Sequence, residues 1–196
     1  MRSMGLPCDQ FAGSAFCNYC NPDLLLCLQF EGGIRDESMY QRAIMLDASE
    51  DGGAVNPSFV FGDGGFGALA LDGSFAMTVP SGPGLTNHHE FTVEILAKMS
   101  SLPSADASRY GLFDRNGVMS MFLYAGDGGA GLPHLRCMNH DVDVTFTTER
   151  YMHFACTANA DTDRVNAYLD GQRVFVEEGG TAMPPDGGWT NPLFLL

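Results

Sequence analysis

The residues able to do chemistry in this chain are its acidic side chains, one histidine cluster and six cysteines. Hydrolysis of a glycosidic bond needs two carboxyl groups flanking that bond, one giving a proton and one acting as nucleophile or base. Glu90 and Glu94 are four residues apart, so they share a face of an extended strand. Asp141 and Asp143 share a face for the same reason, but no third carboxylate follows them. Glu177 and Glu178 are adjacent and point to opposite faces. His88-His89-Glu90 is the only histidine cluster, and neighbouring imidazoles on a strand diverge instead of converging on a metal. It reads as a polar strand entry. There is no G-x-S-x-G, no H-E-x-x-H and no P-loop. These residues assemble no catalytic set, and the chain is read as a non-enzyme.

Cys17-Asn18-Tyr19-Cys20 is a C-x-x-C, which can be redox-active or half of a zinc site. A redox role expects a βαβ setting, which is missing. A zinc role would recruit Cys8 and Cys27, but that spacing fits no common zinc module. Two local disulfides among these four cysteines are the favoured reading, with zinc the alternative. Such cysteine use points to an oxidising compartment. The only tryptophan, Trp189, sits in the loop Gly187-Gly188-Trp189-Thr190-Asn191. Exposed aromatics stack on sugar faces beside Asp and Asn hydrogen-bonding groups. Trp189, Tyr110 and Tyr124 are therefore the candidate ligand contacts, with Tyr40 a further one; the bland reading of a lone loop Trp is a packing plug.

The elements that must position these groups are short strands. The 196 residues fit one domain or a domain with an appendage, long enough for a two-sheet core. Net charge is −14, which argues against nucleic acid and against anionic membrane surfaces. No apolar run approaches the roughly 20 residues of a membrane span. Strands are predicted at Leu24–Phe30, Ala43–Leu46, Ala68–Leu71, Phe75–Val79, Phe91–Met99, Tyr110–Asp114 and Val118–Tyr124. Others follow at His134–Met138, Val142–Thr147, Arg150–Thr157, Val165–Leu169 and Arg173–Glu177. Turn signals such as Asn116-Gly117 and Asp170-Gly171 punctuate them, the pattern of a sandwich. In Phe91–Met99 the residues Phe91, Val93, Ile95, Ala97 and Met99 face one way, while Thr92, Glu94 and Lys98 face the other. A single helical turn near Asp36–Arg42 is the only helical signal.

The run Tyr151-Met152-His153-Phe154-Ala155-Cys156-Thr157, continuing to Ala167-Tyr168-Leu169-Asp170-Gly171, resembles the bacterial laminin-G-like (concanavalin A-like) jelly-roll domains. Those carry "W-x-H-V-A-C-T-x-D-G" and then "L-Y-V-D-G"; Tyr151, Phe154, Asn159, Ala160, Ala167 and Leu169 are the departures. Leu24–Phe30 with Glu31-Gly32, Arg35-Asp36-Glu37-Ser38, Gly65–Gly73 and Glu90–Lys98 resemble further motifs of that family in the same order. The resemblance implies an all-β, two-sheet antiparallel jelly-roll sandwich. It implies a disulfide between Cys137 and Cys156, expected to join neighbouring antiparallel strands and worth about 3 kcal/mol. Family glycan hydrolases use a Glu-x-Asp-x-x-Glu triplet, which this chain lacks. Related domains hold one structural Ca²⁺, and Asp36 stands at the family's loop aspartate. Asp36 and Asp47 are the candidate oxygen ligands, with Asp47 and Asp63 read as loop residues able to approach Asp36; a solvated acidic loop is the alternative. His153 matches the family's histidine and reads as a buried, hydrogen-bonded histidine.

The expected organisation is a Cys-rich N-terminal leader over 1–22 and a laminin-G-like jelly-roll domain over 23–196. The closing strand that follows Pro192-Leu193-Phe194-Leu195 in the family is expected beyond this sequence, as is any export signal. The expected function is a non-catalytic recognition or adhesion module of an extracellular or cell-surface protein. Its partner would be a carbohydrate or an extracellular protein, with no nucleic acid and no membrane insertion. An accessory domain of a glycan-processing enzyme and a ligand-free spacer are the alternatives.

Overall fold

The structure is a computed structural model, and it describes residues 23–30, 33–48, 55, 57–61, 67–71, 75–82, 85, 90–103, 109–115, 119–125, 133–138, 140–148, 150–178 and 193–195. The expected leader, His88, His89, Asp63 and Trp189 lie outside them. The described residues form thirteen strands and no helix. They are β1 (Met45–Ala48), β2 (Ser58–Phe61), β3 (Gly67–Ala70), β4 (Phe75–Val79), β5 (Glu90–Ala97), β6 (Arg109–Arg115) and β7 (Met119–Ala125). Then come β8 (Pro133–Cys137), β9 (His140–Asp143), β10 (Met152–Asn159), β11 (Arg164–Leu169), β12 (Gln172–Glu178) and β13 (Leu193–Leu195).

Every ladder is antiparallel. A seven-stranded sheet runs β1-β4-β13-β6-β7-β8-β9, a four-stranded sheet runs β12-β11-β10-β5, and β2-β3 forms a separate hairpin. The two larger sheets pack face to face, as the all-β sandwich expectation required. Alternation along each strand sends one row inward. Met121, Leu123, Leu135, Cys137 and Val142 from one sheet meet Phe154, Cys156, Ala158, Val165 and Ala167 from the other in one buried cluster.

The β10–β11–β12 meander follows the sequence closely. Leu169 pairs with Gln172 across the Asp170-Gly171 turn, where both central residues have positive φ, 50° and 76°. That backbone suits the right-handed twist of a hairpin, and Asp and Gly tolerate it.

Four expectations need correction. Cys137 and Cys156 are bridged, but β8 and β10 belong to different sheets, so the bridge spans the sandwich instead of joining neighbours. Its Cα atoms are 5.9 Å apart, well inside the ~10 Å usual between packed sheets, so the layers pinch together there. Leu24–Phe30 forms no continuous strand; only Leu28 and Asp36 share an isolated bridge. Side-chain hydrogen bonding replaces the ladder in that segment, while Leu25 and Leu26 still pack on the core. The helical turn near Asp36–Arg42 is a reverse turn closed by the Gln41 amide donating to the Ser38 carbonyl at 3.2 Å, with Gln41 at φ 46°. Finally, β5 lies at the end of its sheet among the described residues, so Phe91, Val93 and Ile95 are half-buried and only Met99 of the predicted row is fully buried.

Candidate functional site

Three adjacent strands of the large sheet each send an i, i+2 pair outward. β7 supplies Phe122 and Tyr124, β8 supplies His134 and Arg136, and β9 supplies Asp141 and Asp143. The residues between them, Leu123, Leu135 and Val142, are buried and fix which side faces out. Register then aligns the pairs into two rungs. Phe122 stands opposite Arg136, which stands opposite Asp141. Tyr124 stands opposite His134, which stands opposite Asp143. Each rung reads aromatic, base, acid.

Side-chain contacts follow that order. The Tyr124 and His134 rings stack at 5.3 Å with 29° between planes, and Phe122 and Tyr124 lie 5.7 Å apart. The Arg136 guanidinium sits over the Phe122 ring at 5.6 Å, a cation–π geometry. His134 Nδ1 is 2.7 Å from Asp143 Oδ1, and Arg136 Nε is 3.4 Å from Asp141 Oδ1. His134 Nδ1 and Asp143 Oδ1 approach closely without the alignment of a hydrogen bond, and Nε2 is the other polar edge of the ring. Asp143 remains three-quarters exposed, with lone pairs left over. Phe122 pairs on its other side with Gly111, which puts no side chain beside the ring. The result is an aromatic surface, its two rings tilted 57° to each other, bordered by planar donors and acceptors on strands.

Sequence reasoning marked Tyr124 and noted that Asp141 and Asp143 share a face. It missed Phe122, His134 and Arg136. The available signal was the repetition of outward i, i+2 polar or aromatic pairs in three successive strands. Tyr110 is not part of this surface. It pairs with buried Leu123, packs on the core, and its hydroxyl lies 2.7 Å from Ser101 Oγ at the sandwich rim. Tyr40 is elsewhere, under the Arg42 guanidinium at 4.4 Å, beside a cleft of about 320 Å³ that Pro80 and Ser81 also line. Burial of Arg42 holds its guanidinium below the usual arginine range, with Asp36 opposing that shift.

The two aspartates read as calcium ligands are placed differently. Asp36 is buried, and both its oxygens are occupied. Oδ1 accepts from the Cys27 amide at 3.0 Å and the Ser38 amide at 2.9 Å. Oδ2 accepts from the Ser38 hydroxyl at 2.8 Å and the Arg42 amide at 2.9 Å. A cation there would have to displace N–H donors that also point positive charge at the site. Asp47, expected in a loop, instead lies on β1 and accepts from the Thr78 hydroxyl. Among the described residues no group of three or more His, Cys, Asp or Glu side chains converges. Cys27 is disulfide-bonded. Glu90 and Glu94 project outward from β5, and His153, expected to be buried, instead lies on the outward row of β10, partly exposed, with Nε2 3.9 Å from Glu94 Oε2.

No protein-family model matches the sequence, and no curated protein matches it. Solved structures do match in shape. Domain 4 of AbnA, a GH43 extracellular arabinanase from Geobacillus stearothermophilus in complex with arabinotriose, matches with TM-score 0.53 at 16% identity. That match covers 78% of this chain and 72% of the other. A botulinum neurotoxin type C structure, whose cell entry depends on two ganglioside molecules, matches with TM-score 0.52 at 11% identity. The binding domain of botulinum neurotoxin DC in complex with rat synaptotagmin II matches with TM-score 0.51 at 13% identity. Each toxin match covers 87% of this chain, which spans under half of those chains, 45% and 42%. At these identities the likeness concerns the fold: β-rich domains of the sandwich kind.

Proposed function

We propose that this chain is a non-catalytic carbohydrate-binding module of the laminin-G-like type, acting in an exported or surface protein. The observation that carries it is the outward face of β7–β9, where Phe122 and Tyr124 lie side by side next to Arg136, His134, Asp141 and Asp143. An aromatic face offers the apolar side of a sugar ring a flat partner, while in-plane donors and acceptors satisfy its hydroxyls. Strand placement makes the surface preorganised, which lowers the ordering cost of binding. The fold likeness to an arabinanase domain in complex with arabinotriose, and to toxin structures tied to gangliosides or in complex with synaptotagmin II, supports a binding role. The disulfide across the sandwich supports folding in an oxidising compartment.

The same arabinanase neighbour favours a second, compatible reading, that the module serves a glycan-processing enzyme. A glycan array followed by calorimetry on the best hit tests the proposal. Tyr124→Ala and Phe122→Ala should each weaken binding at least about tenfold while leaving the melting temperature nearly unchanged. Undiminished affinity in the folded double variant would remove the platform from the function. An array with no glycan hit would overturn the carbohydrate reading itself.

A further inference from the structure

The outward face of the small sheet has its own recess. Across β5–β10–β11 the register places Glu94, Ala155 and Tyr168 in one rung and Thr92, Thr157 and Asn166 in the next. Ala155 is the smallest side chain among them, only 4% exposed although it faces outward. It forms the floor of a dimple of about 250 Å³ walled by Thr92, Glu94, His153, Thr157 and Tyr168. Asn166 Nδ2 donates to Thr157 Oγ1 at 2.9 Å, so that oxygen is taken as an acceptor and its O–H is left to donate into the recess. Glu94 is a carboxylate with nearly two-thirds of its side chain exposed, and its nearest cation-capable group is His153 at 3.9 Å, beyond hydrogen-bond reach.

We propose that this dimple is a second binding site, for a single neutral sugar unit, on the face opposite the β7–β9 platform. The two Glu94 oxygens can accept from two neighbouring ring hydroxyls, the Thr157 hydroxyl donates, and Tyr168 supplies an aromatic wall with a polar tip. Acidic sugars are disfavoured by Glu94 and by the net charge of −14. With sites on opposite faces, one copy of the chain bridges two glycan strands, a gain in avidity without added contact area.

The test is a titration of isotopically labelled protein with methyl glucoside, methyl xyloside and glucuronate, read by amide NMR. Either neutral glycoside should shift the amides of Thr92, Glu94, Ala155 and Tyr168, and glucuronate should not. Ala155→Leu, which fills the floor from the solvent side, and Glu94→Gln should each weaken that response at least about tenfold. Amides of Phe122, Tyr124, His134 and Arg136 report the platform in the same spectra, so either surface can fail while the other stands. Absence of shifts around Ala155 with both neutral glycosides at millimolar concentration, or an undiminished response in both variants, would overturn the site. Equal response to glucuronate would overturn the ligand class.

Discussion

Asp36 and the pair Asp141 and Asp143 are the same side-chain type in opposite circumstances. Asp36 is buried at the turn after Leu28, and four donors fill its two oxygens. Asp141 and Asp143 stand on the outer face of β9, each against one base and each with acceptor capacity unspent. The first holds backbone that forms no ladder; the second pair can still meet a ligand. Acidity does not separate the two cases; the hydrogen-bonding capacity left over does.

The largest expected effect falls on Asp36. Asp36→Asn turns one acceptor oxygen into a donor facing the Ser38 hydroxyl and the Arg42 amide. Stability should fall by about 2–4 kcal/mol, the range for breaking a buried charged hydrogen-bond network. Chemical denaturation measures this. Millimolar Ca²⁺ should leave the melting temperature unchanged in wild type and variant alike. A calcium-induced rise confined to wild type would place a cation at Asp36 and erase the contrast, because a ligand of the folded state stabilises it by mass action.

A smaller effect tests how well the core face was read from sequence. Ile95→Ala should cost about 1–3 kcal/mol, below the usual range for a fully buried residue, because β5 is a half-buried end strand. Thr92→Ala, on the opposite face, should cost under about 1 kcal/mol. The reverse order in a melting series would shift the β5 register by one residue and empty the proposed dimple of Glu94.

Smaller still is the stability cost at the exposed pair. Asp141→Asn and Asp143→Asn should each change stability by less than about 1 kcal/mol, since exposed ion pairs contribute little. Their effect should appear in glycan affinity. Large destabilisation without an affinity change would move them into the class of Asp36.

Much of this fold was legible. The Asp170-Gly171 turn, the alternation in β5 and the β10–β11 hairpin depend on neighbours in sequence, where period and turn chemistry act. The cysteine pair was legible as a pair, yet its place between sheets was not, because strand order is set by contacts distant in sequence. The same limit hid the β7–β9 surface. Asp141 and Asp143 were seen to share a face, but only cross-strand register brings Arg136 and Phe122 beside them. Leu24–Phe30 misled because its apolar run satisfies the core, while the Asp36 carboxylate takes over hydrogen bonding that a ladder would supply.

Asp170 shows that exposure alone does not mark an available carboxylate. It sits on the surface, yet Oδ2 meets Arg150 Nη2 at 2.5 Å and Oδ1 accepts from the His153 amide at 3.0 Å. The Arg150 hydrogen bond, followed by the His153 amide, holds its carboxyl below the usual aspartate range. A depressed folded-state value contributes stability that is present above the unfolded value, about 3.9. That stability is lost as pH falls through the lower folded value. Asp170→Asn keeps tolerance of the positive φ and a side-chain acceptor, so it removes the charge alone. The variant should be slightly less stable than wild type at pH 7, the smallest effect of the series, and the two should converge in acid. The difference should also shrink in high salt, because the pair is solvent-exposed. A gap that stayed constant from pH 7 into strong acid would show that Asp170 acts through turn geometry and not through its charge.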